Sequence, residues 1–234
     1  MHMFKVIVSY TVVVVCGAMV VAALAEKKDM ENRRESLHAQ AINCRKTDFP
    51  VEQIFIERWS PRALSGKGIS DEELMTLFEA ARWAASSFNA QPWRFVYAKR
   101  GTPEWNTFFD WLVDFNKSWA TNASALILVM SYKYFPHNHE FNPTHGFDTG
   151  AAWQNIALQA SKMGLVAHGM GGFDYARARK DLSITDDFEI HMMIAIGKPG
   201  DLSVLPPELR SREEPSIRNP IKSFAFEGCL KIGE

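Results

Sequence analysis

The stretch AASSFNAQPW, residues 84–93, decides how the rest of the chain is interpreted. It follows an amphipathic segment and gathers two serines, an asparagine and a glutamine ahead of Pro92-Trp93. Side chains of these types can hydrogen-bond to the donors and acceptors along the edge of a heterocyclic ligand. The same residue types also form ordinary turns. Taken alone, the stretch leaves both interpretations open.

Helical and extended patterns surround this stretch without regular alternation. Ser70 and Glu73 form an S-x-x-E capping box, and the apolar spacing that follows predicts a helix over 71–85. The irregular mixture of helices and strands predicts an α+β fold around a central sheet. The other predicted elements are strands at 93–99, 125–130 and 190–196 and helices at 51–58, 105–119, 148–163 and 175–182, with loops at 135–146 and 169–174.

Composition and charge exclude several classes of function. The chain has 234 residues and a net charge of -1, which gives no electrostatic case for nucleic-acid binding. Its three cysteines show neither a disulfide framework nor zinc-ligand spacing. The histidines at 137, 139 and 145 lack the spacing of a closed metal site, so no metal site is predicted. No Gly-x-Ser-x-Gly or similar nucleophile motif appears, so no catalytic side chain is predicted.

The first 25 residues differ from the rest, because residues 6–25 form a 20-residue run without a charge. As an uncleaved helix the run is long enough to span a bilayer, and the positive residues after it would keep the main domain in the cytoplasm. Alternatively, it is a signal that is cleaved after Ala25, or it precedes a true start at Met30. Residues 26–48 are interpreted as a linker or exposed helix, and residues 49–234 as the main domain.

Three further polar clusters accompany the opening stretch. Residues 58–62 (RWSPR) place two guanidinium groups and a hydroxyl close together, a set suited to an anion such as phosphate. The loop GMGGFD, residues 169–174, could bring backbone N–H groups close to a ligand. Arg218 supplies another cation in a Pro-rich tail, which we expect to be solvated, Glu213 included. Each cluster alone also fits an ordinary surface loop.

Together and in this order, the clusters resemble the FMN-dependent nitroreductase family over most of the chain, residues 50–234. The correspondences are residues 58–62 with an R-x-S-x-R segment, 86–93 with S-S-x-N-x-Q-P-W, 148–165 with the central helix, 171–174 with the flavin-facing loop, and 218–220 with a closing phosphate contact. The sequence departs from the family at Ala85, where a proline is common, and at Leu64, where an aromatic is common.

The resemblance implies a mostly antiparallel sheet flanked by helices and a homodimer with FMN in the interface. It implies that NAD(P)H transfers hydride to flavin N5 and that a nitroaromatic, quinone or related acceptor then reacts on the same face, in a ping-pong sequence. The cofactor-binding residues expected from it are Arg58, Trp59, Ser60, Arg62, Ser86, Ser87, Asn89, Gln91, Gly171, Gly172 and Arg218, with Phe88 on the substrate side.

Two alternatives stay open at this point. The first is a flavin-dependent reductive dehalogenase that resembles iodotyrosine deiodinase, a family that also joins an N-terminal membrane segment to this kind of domain. Its flavin-side motif usually has P-S-G-A, whereas Ser86-Ser87-Phe88-Asn89 fits nitroreductases better. The second is a flavin-binding protein without turnover.

Overall fold

The computed structural model describes residues 2–230, without the side chains of residues 2–18 and of Glu26. The three interpretations of residues 1–25 therefore fall largely on side chains outside the described part. Among the residues that are described, no helix combines the length and the apolar character needed to cross a bilayer. The helices are α1 (His2–Cys44), α2 (Gln53–Glu57), α3 (Asp71–Arg82), α4 (Trp105–Trp111), α5 (Asp114–Ala120), α6 (His145–Lys162), α7 (Tyr175–Asp181) and α8 (Pro207–Arg210).

One antiparallel sheet organises the domain, with strand order β1-β2-β4-β3. The strands are β1 (Trp93–Lys99), β2 (Ala125–Tyr132), β3 (Val166–Met170) and β4 (Phe188–Gly197). The predicted α+β class with a mostly antiparallel sheet is confirmed. The sequence prediction missed β3, because His168 and Gly169 interrupt both apolar alternation and a continuous apolar run. As a result, the loop predicted at 169–174 in fact begins two residues later, at Gly171.

Both faces of the sheet are covered, which accounts for the unbroken apolar run in β2. Ile127 and Val129 face α3 and α6 and pack against buried residues of those helices. Leu126 and Leu128 face the opposite way, onto Trp111 and the rest of the α4–α5 layer. The strand predicted at 125–130 is therefore confirmed, and its continuous apolar run is typical of a strand buried on both faces.

The predicted helix over 105–119 is wrong as a single element, because the chain breaks it at Leu112. Leu112 is extended (ψ 142°) and forms an isolated bridge with Phe173. Val113 N donates to Gly172 O at 3.1 Å, and Asp174 N donates to Trp111 O at 2.8 Å. These tertiary hydrogen bonds outweigh the local helical pattern. They also hold the loop at 171–174 against the α4–α5 layer.

The described end of α1 packs onto the domain. Ala41 is fully buried. His38 lies 3.3 Å from the Glu57 carboxylate and 3.3 Å from Ser161 Oγ at the end of α6. Trp59 Nε1 donates to the carbonyl of Leu37 at 3.3 Å. Residues 37–44 therefore lie against the C-terminal half of α6 and beside the 58–62 loop.

Candidate functional site

Three arginines from distant parts of the chain meet beside α2. Arg45, just beyond α1, donates through Nη1 to the carbonyl of Arg58 at 2.8 Å and through Nε to the carbonyl of Ser216 at 3.0 Å. Arg58 donates to Ser60 Oγ at 3.2 Å. Arg218 donates to Ser216 Oγ at 2.9 Å, within the tail that Arg45 holds. The end of α1, the 58–62 loop and the tail thus form one cationic corner.

In the part of the chain that the structure describes, no carboxylate compensates the charges of this corner. Among the described residues, Arg45, Arg58 and Arg218 form no ion pair. Burial lowers the pKa of Arg58, and the charges of Arg45 and Arg218 lower it further. Burial and then Arg218 likewise lower the pKa of Arg45. A cluster of like charges that lacks a counter-ion is suited to bind an anion.

Arg62 differs from these three because a carboxylate already faces it. The buried Glu213 accepts from the backbone N–H groups of Arg62 and Ala63, the latter at 2.7 Å, and its carboxylate lies 3.8 Å from the Arg62 guanidinium. The expectation that Glu213 lies in a solvated tail is therefore wrong. The tail folds back because this carboxylate satisfies two buried N–H groups that would otherwise lack partners.

The 58–62 loop runs along the edge strand β3. His168, in the middle of β3, donates through Nδ1 to the carbonyl of Pro61 at 3.0 Å, and its ring lies 4.6 Å from that of Trp119. Burial lowers the pKa of His168 to about 4, with the Arg62 charge acting in the same direction. A neutral imidazole therefore holds this loop in place. The Trp59 indole is directed toward α1 through its bond to Leu37.

The two glycines follow directly after β3, at the end of the same edge. Asn116 donates through Nδ2 to the carbonyl of Gly172 at 2.9 Å. A Cβ at Gly172 would lie 2.8 Å from that nitrogen and 3.0 Å from Val113 Cγ2, so only glycine fits there. A Cβ at Gly171 would meet only the Tyr175 hydroxyl, at 3.9 Å, which leaves this side of the loop open. Sequence reasoning missed Asn116, since nothing in its pattern marks it as buried.

Residues 86–91 lie in a separate place, between the end of α3 and β1. Ser87 N donates to the buried Asp148 carboxylate at 3.1 Å, in the first turns of α6. Gln91 N donates to Ser86 Oγ at 3.1 Å, and the Gln91 side chain donates to the carbonyl of Asn89 at 3.0 Å. Gln91 therefore bonds within its own turn.

Three non-glycine residues of this turn have left-handed backbone angles. Phe88, Asn89 and Gln91 have φ values of 50°, 53° and 48°. Such a conformation costs on the order of 1 kcal/mol or more per residue, and clusters of it occur at functional sites. Phe88 is 81% exposed and makes edge contact with Phe135 at 5.5 Å between ring centroids. The turn thus presents Phe88 and Asn89 outward.

Within one copy, the predicted site residues fall into two separate groups. Arg58, Ser60 and Arg62 lie beside β3, and Gly171 and Gly172 follow it, at one edge of the sheet. Residues 86–91 precede β1, at the other edge. Three inter-strand steps separate these edges, which is about 14 Å. One chain therefore does not bring the arginine edge and the 86–91 edge together.

Comparison with known proteins shows the family of the chain. A family model described as the Nitroreductase family matches residues 56–104 and 108–198. The chain belongs to this family. It is therefore an oxidoreductase, and its antiparallel sheet with flanking helices is the fold of its relatives. Arg45 and Arg218 both lie outside the matched residues.

Three relatives show how far the likeness extends. A crystal structure titled as that of an oxidoreductase containing FMN is 43% identical, has a TM-score of 0.77, and covers 80% of this chain and 96% of that one. A nitroreductase-family structure in complex with FMN, from Desulfovibrio desulfuricans, is 24% identical with a TM-score of 0.62, covering 79% and 100% of the two chains, and it supports the fold. An Archaeoglobus fulgidus protein named "Putative NADH dehydrogenase/NAD(P)H nitroreductase" is 28% identical over 163 residues, 64% of this chain and 86% of that protein.

Proposed function

We propose that the chain is an FMN-dependent oxidoreductase that takes hydride from NAD(P)H and passes electrons to nitroaromatic, quinone or related acceptors. When bound, FMN supplies the hydride acceptance and release that no side chain can supply. The observation that carries the proposal is the arginine corner, which forms no ion pair among the described residues and lies beside the edge strand β3, which ends in an open glycine loop. A relative that is 43% identical is titled as containing FMN.

The residues of the β3 edge have distinct tasks in this proposal. Arg58 and Arg218 bind the flavin phosphate, and Ser60 donates its hydroxyl to the phosphate or the ribityl chain. In the described part of the chain the N–H groups of Gly171 and Gly172 have no hydrogen-bond partner. They can therefore donate to the ring edge, where negative charge develops on reduction. Asn116 fixes the orientation of these peptide groups by holding the Gly172 carbonyl.

The other half of the site comes from a second copy in this proposal. Ser86, Ser87 and Asn89 reach the flavin of a partner protomer, because they lie at the edge of the sheet opposite the arginines. Large exposed aromatic side chains near this edge, Phe88 at 81% and Phe147 at 83%, are suited to a dimer interface or to stacking with a planar acceptor. The proposed assembly is a homodimer with two composite sites.

The test is spectroscopic and then kinetic. The purified chain is expected to carry bound flavin, or to take it up when FMN is added, and to show the visible absorption of a bound flavin. NADPH or NADH should bleach this absorption, and a nitroaromatic should restore it. Failure to bind FMN at all would remove the proposal, and binding without turnover toward any acceptor would leave only a flavin-binding protein.

Site variants refine the same test. Arg58→Gln is expected to raise the Kd for FMN about tenfold to hundredfold, because it removes a charge-assisted contact to phosphate. Arg212→Gln, an exposed cation of the same tail, is the matched control and should leave the Kd unchanged. Equal Kd values for the two variants would contradict the assignment of the arginine corner.

A further inference from the structure

One guanidinium of the arginine corner is only partly used by the protein. Arg45 donates through Nη1 to the carbonyls of Ile56 and Arg58 and through Nε to the carbonyl of Ser216. Its Nη2 atom is buried and has no hydrogen-bond partner. A buried donor without a partner costs about 1–3 kcal/mol, and a negative charge beside the guanidinium would offset that cost.

The charges around Arg45 specify what kind of acceptor fits. Arg58 and Arg218 are its charged neighbours, and neither these two nor Arg45 forms an ion pair within the described residues. Arg62, the remaining arginine of the loop, already faces the buried carboxylate of Glu213. An anion with several oxygens, such as a phosphate monoester, would compensate the charges of Arg45, Arg58 and Arg218 together, since none of them has an ion-pair partner among the described residues.

We infer that Arg45 is a phosphate ligand of the flavin site, and that bound phosphate fixes both the end of α1 and the tail at 215–218 to the domain. The inference rests on the proposed function. Arg45 directly follows α1 and lies outside residues 56–198, which the family model spans, so it comes from a part of the chain that the family model does not match. The Arg45 side chain bonds to residues 56 and 58 of one segment and to residue 216 of the tail. An anion on Arg45 therefore helps to hold these two segments and the end of α1 together.

The decisive measurement compares FMN with riboflavin, which lacks the phosphate. In Arg45→Gln, the Kd for FMN should rise about tenfold to hundredfold relative to the full-length wild-type chain. The Kd for riboflavin should change much less, so the preference for FMN over riboflavin should fall by a similar factor. Lys46→Gln, the next residue and an exposed cation, is the matched control and should leave the preference unchanged.

The ratio of the two Kd values separates phosphate binding from a role in packing alone. If Arg45 only tied the segments together, Arg45→Gln would weaken both flavins equally, and an unchanged FMN preference would overturn the inference. That result would leave the proposed function standing, provided the wild-type chain binds FMN. If the wild-type chain bound neither flavin, the proposed function and the inference would both fail.

A second measurement needs no variant and covers the case in which Arg45→Gln does not fold. Amide hydrogen exchange of the wild-type chain should slow at residues 41–46 and 215–218 when FMN is added to saturation. Riboflavin at saturation should produce less protection there, while protecting the glycine loop at 171–174 as FMN does. Equal protection of both segments by the two flavins would contradict the inference.

Discussion

The two edges of the sheet differ in how they are completed. At the β3 edge, loop 58–62, the tail and the end of α1 are cross-linked by Arg45, Glu213 and His168, and in the described part of the chain Arg45, Arg58 and Arg218 form no ion pair. At the β1 edge, residues 86–91 are hydrogen-bonded among themselves and to Asp148, and they present a strained, exposed turn. The β3 edge thus carries arginines that form no ion pair among the described residues, and the β1 edge carries an exposed turn. The proposed composite site uses both features.

The largest expected effect concerns the stability that Glu213 contributes at the β3 edge. Glu213→Ala leaves the N–H groups of Arg62 and Ala63 without an acceptor and the Arg62 charge uncompensated. We expect the free energy of unfolding to fall by about 3 kcal/mol. Chemical denaturation measures it, with the exposed neighbour Glu214→Ala as the control. If both variants had the same stability, the β3 edge would not be held as described.

The pH dependence of stability provides a second test of that edge. His168 has a pKa of about 4 in the folded chain, against an ordinary histidine pKa of 6.5. Between these two pH values the unfolded chain takes up a proton that the folded chain does not, so stability falls as the pH falls. The full shift corresponds to about 3 kcal/mol, at about 1.4 kcal/mol per pH unit.

The matched variants for this pH effect are His168→Gln and His139→Gln, the latter on an exposed loop. The free energy of unfolding should be measured by denaturation between about pH 7 and about pH 4. Over this range it should fall less steeply with falling pH in His168→Gln than in the wild-type chain, whereas His139→Gln should keep the wild-type dependence. An unchanged slope in His168→Gln would mean that the imidazole is not held neutral beneath the 58–62 loop.

The smallest effect concerns the strained turn at the β1 edge. Asn89 has a φ of 53°, so Asn89→Gly should be more stable than Asn89→Ala by about 1 kcal/mol, since glycine adopts this angle without strain. Both variants should bind FMN more weakly, because both lose the amide. If the apoproteins were equally stable, residue 89 would not be strained in solution; if both bound FMN as tightly as wild type, Asn89 would not contact flavin.

The elements that the sequence predicted well are those whose pattern is local. The capping box of α3 and the apolar runs of β2 and β4 are set by residues close in the chain, and the structure has them. The S-S-x-N-x-Q-P-W and R-x-S-x-R motifs were enough to indicate the family, because their residue types and order are unusual together.

The features that sequence reasoning missed depend on contacts between distant segments. Strand β3 forms only because it pairs with β4, and the break at Leu112 forms because the 171–174 loop competes for its hydrogen bonds. Arg45 and Glu213 acquire their roles from partners at residues 58, 62 and 216. No pattern in a single segment contains that information.

The central claim is that each site combines the β3 edge of one protomer with the 86–91 turn of another, and subunit mixing tests it most directly. Arg58→Gln damages the first edge and Asn89→Ala the second, so each variant alone should have low NADPH-dependent nitroaromatic reduction. After the two are unfolded, mixed in equal amounts and refolded together, half of the dimers pair the two variants and contain one undamaged site. About a quarter of the wild-type activity should therefore return in the mixture. Activity that stays at the average of the two separate variants would show that both edges serve the same protomer's flavin, and would contradict the account.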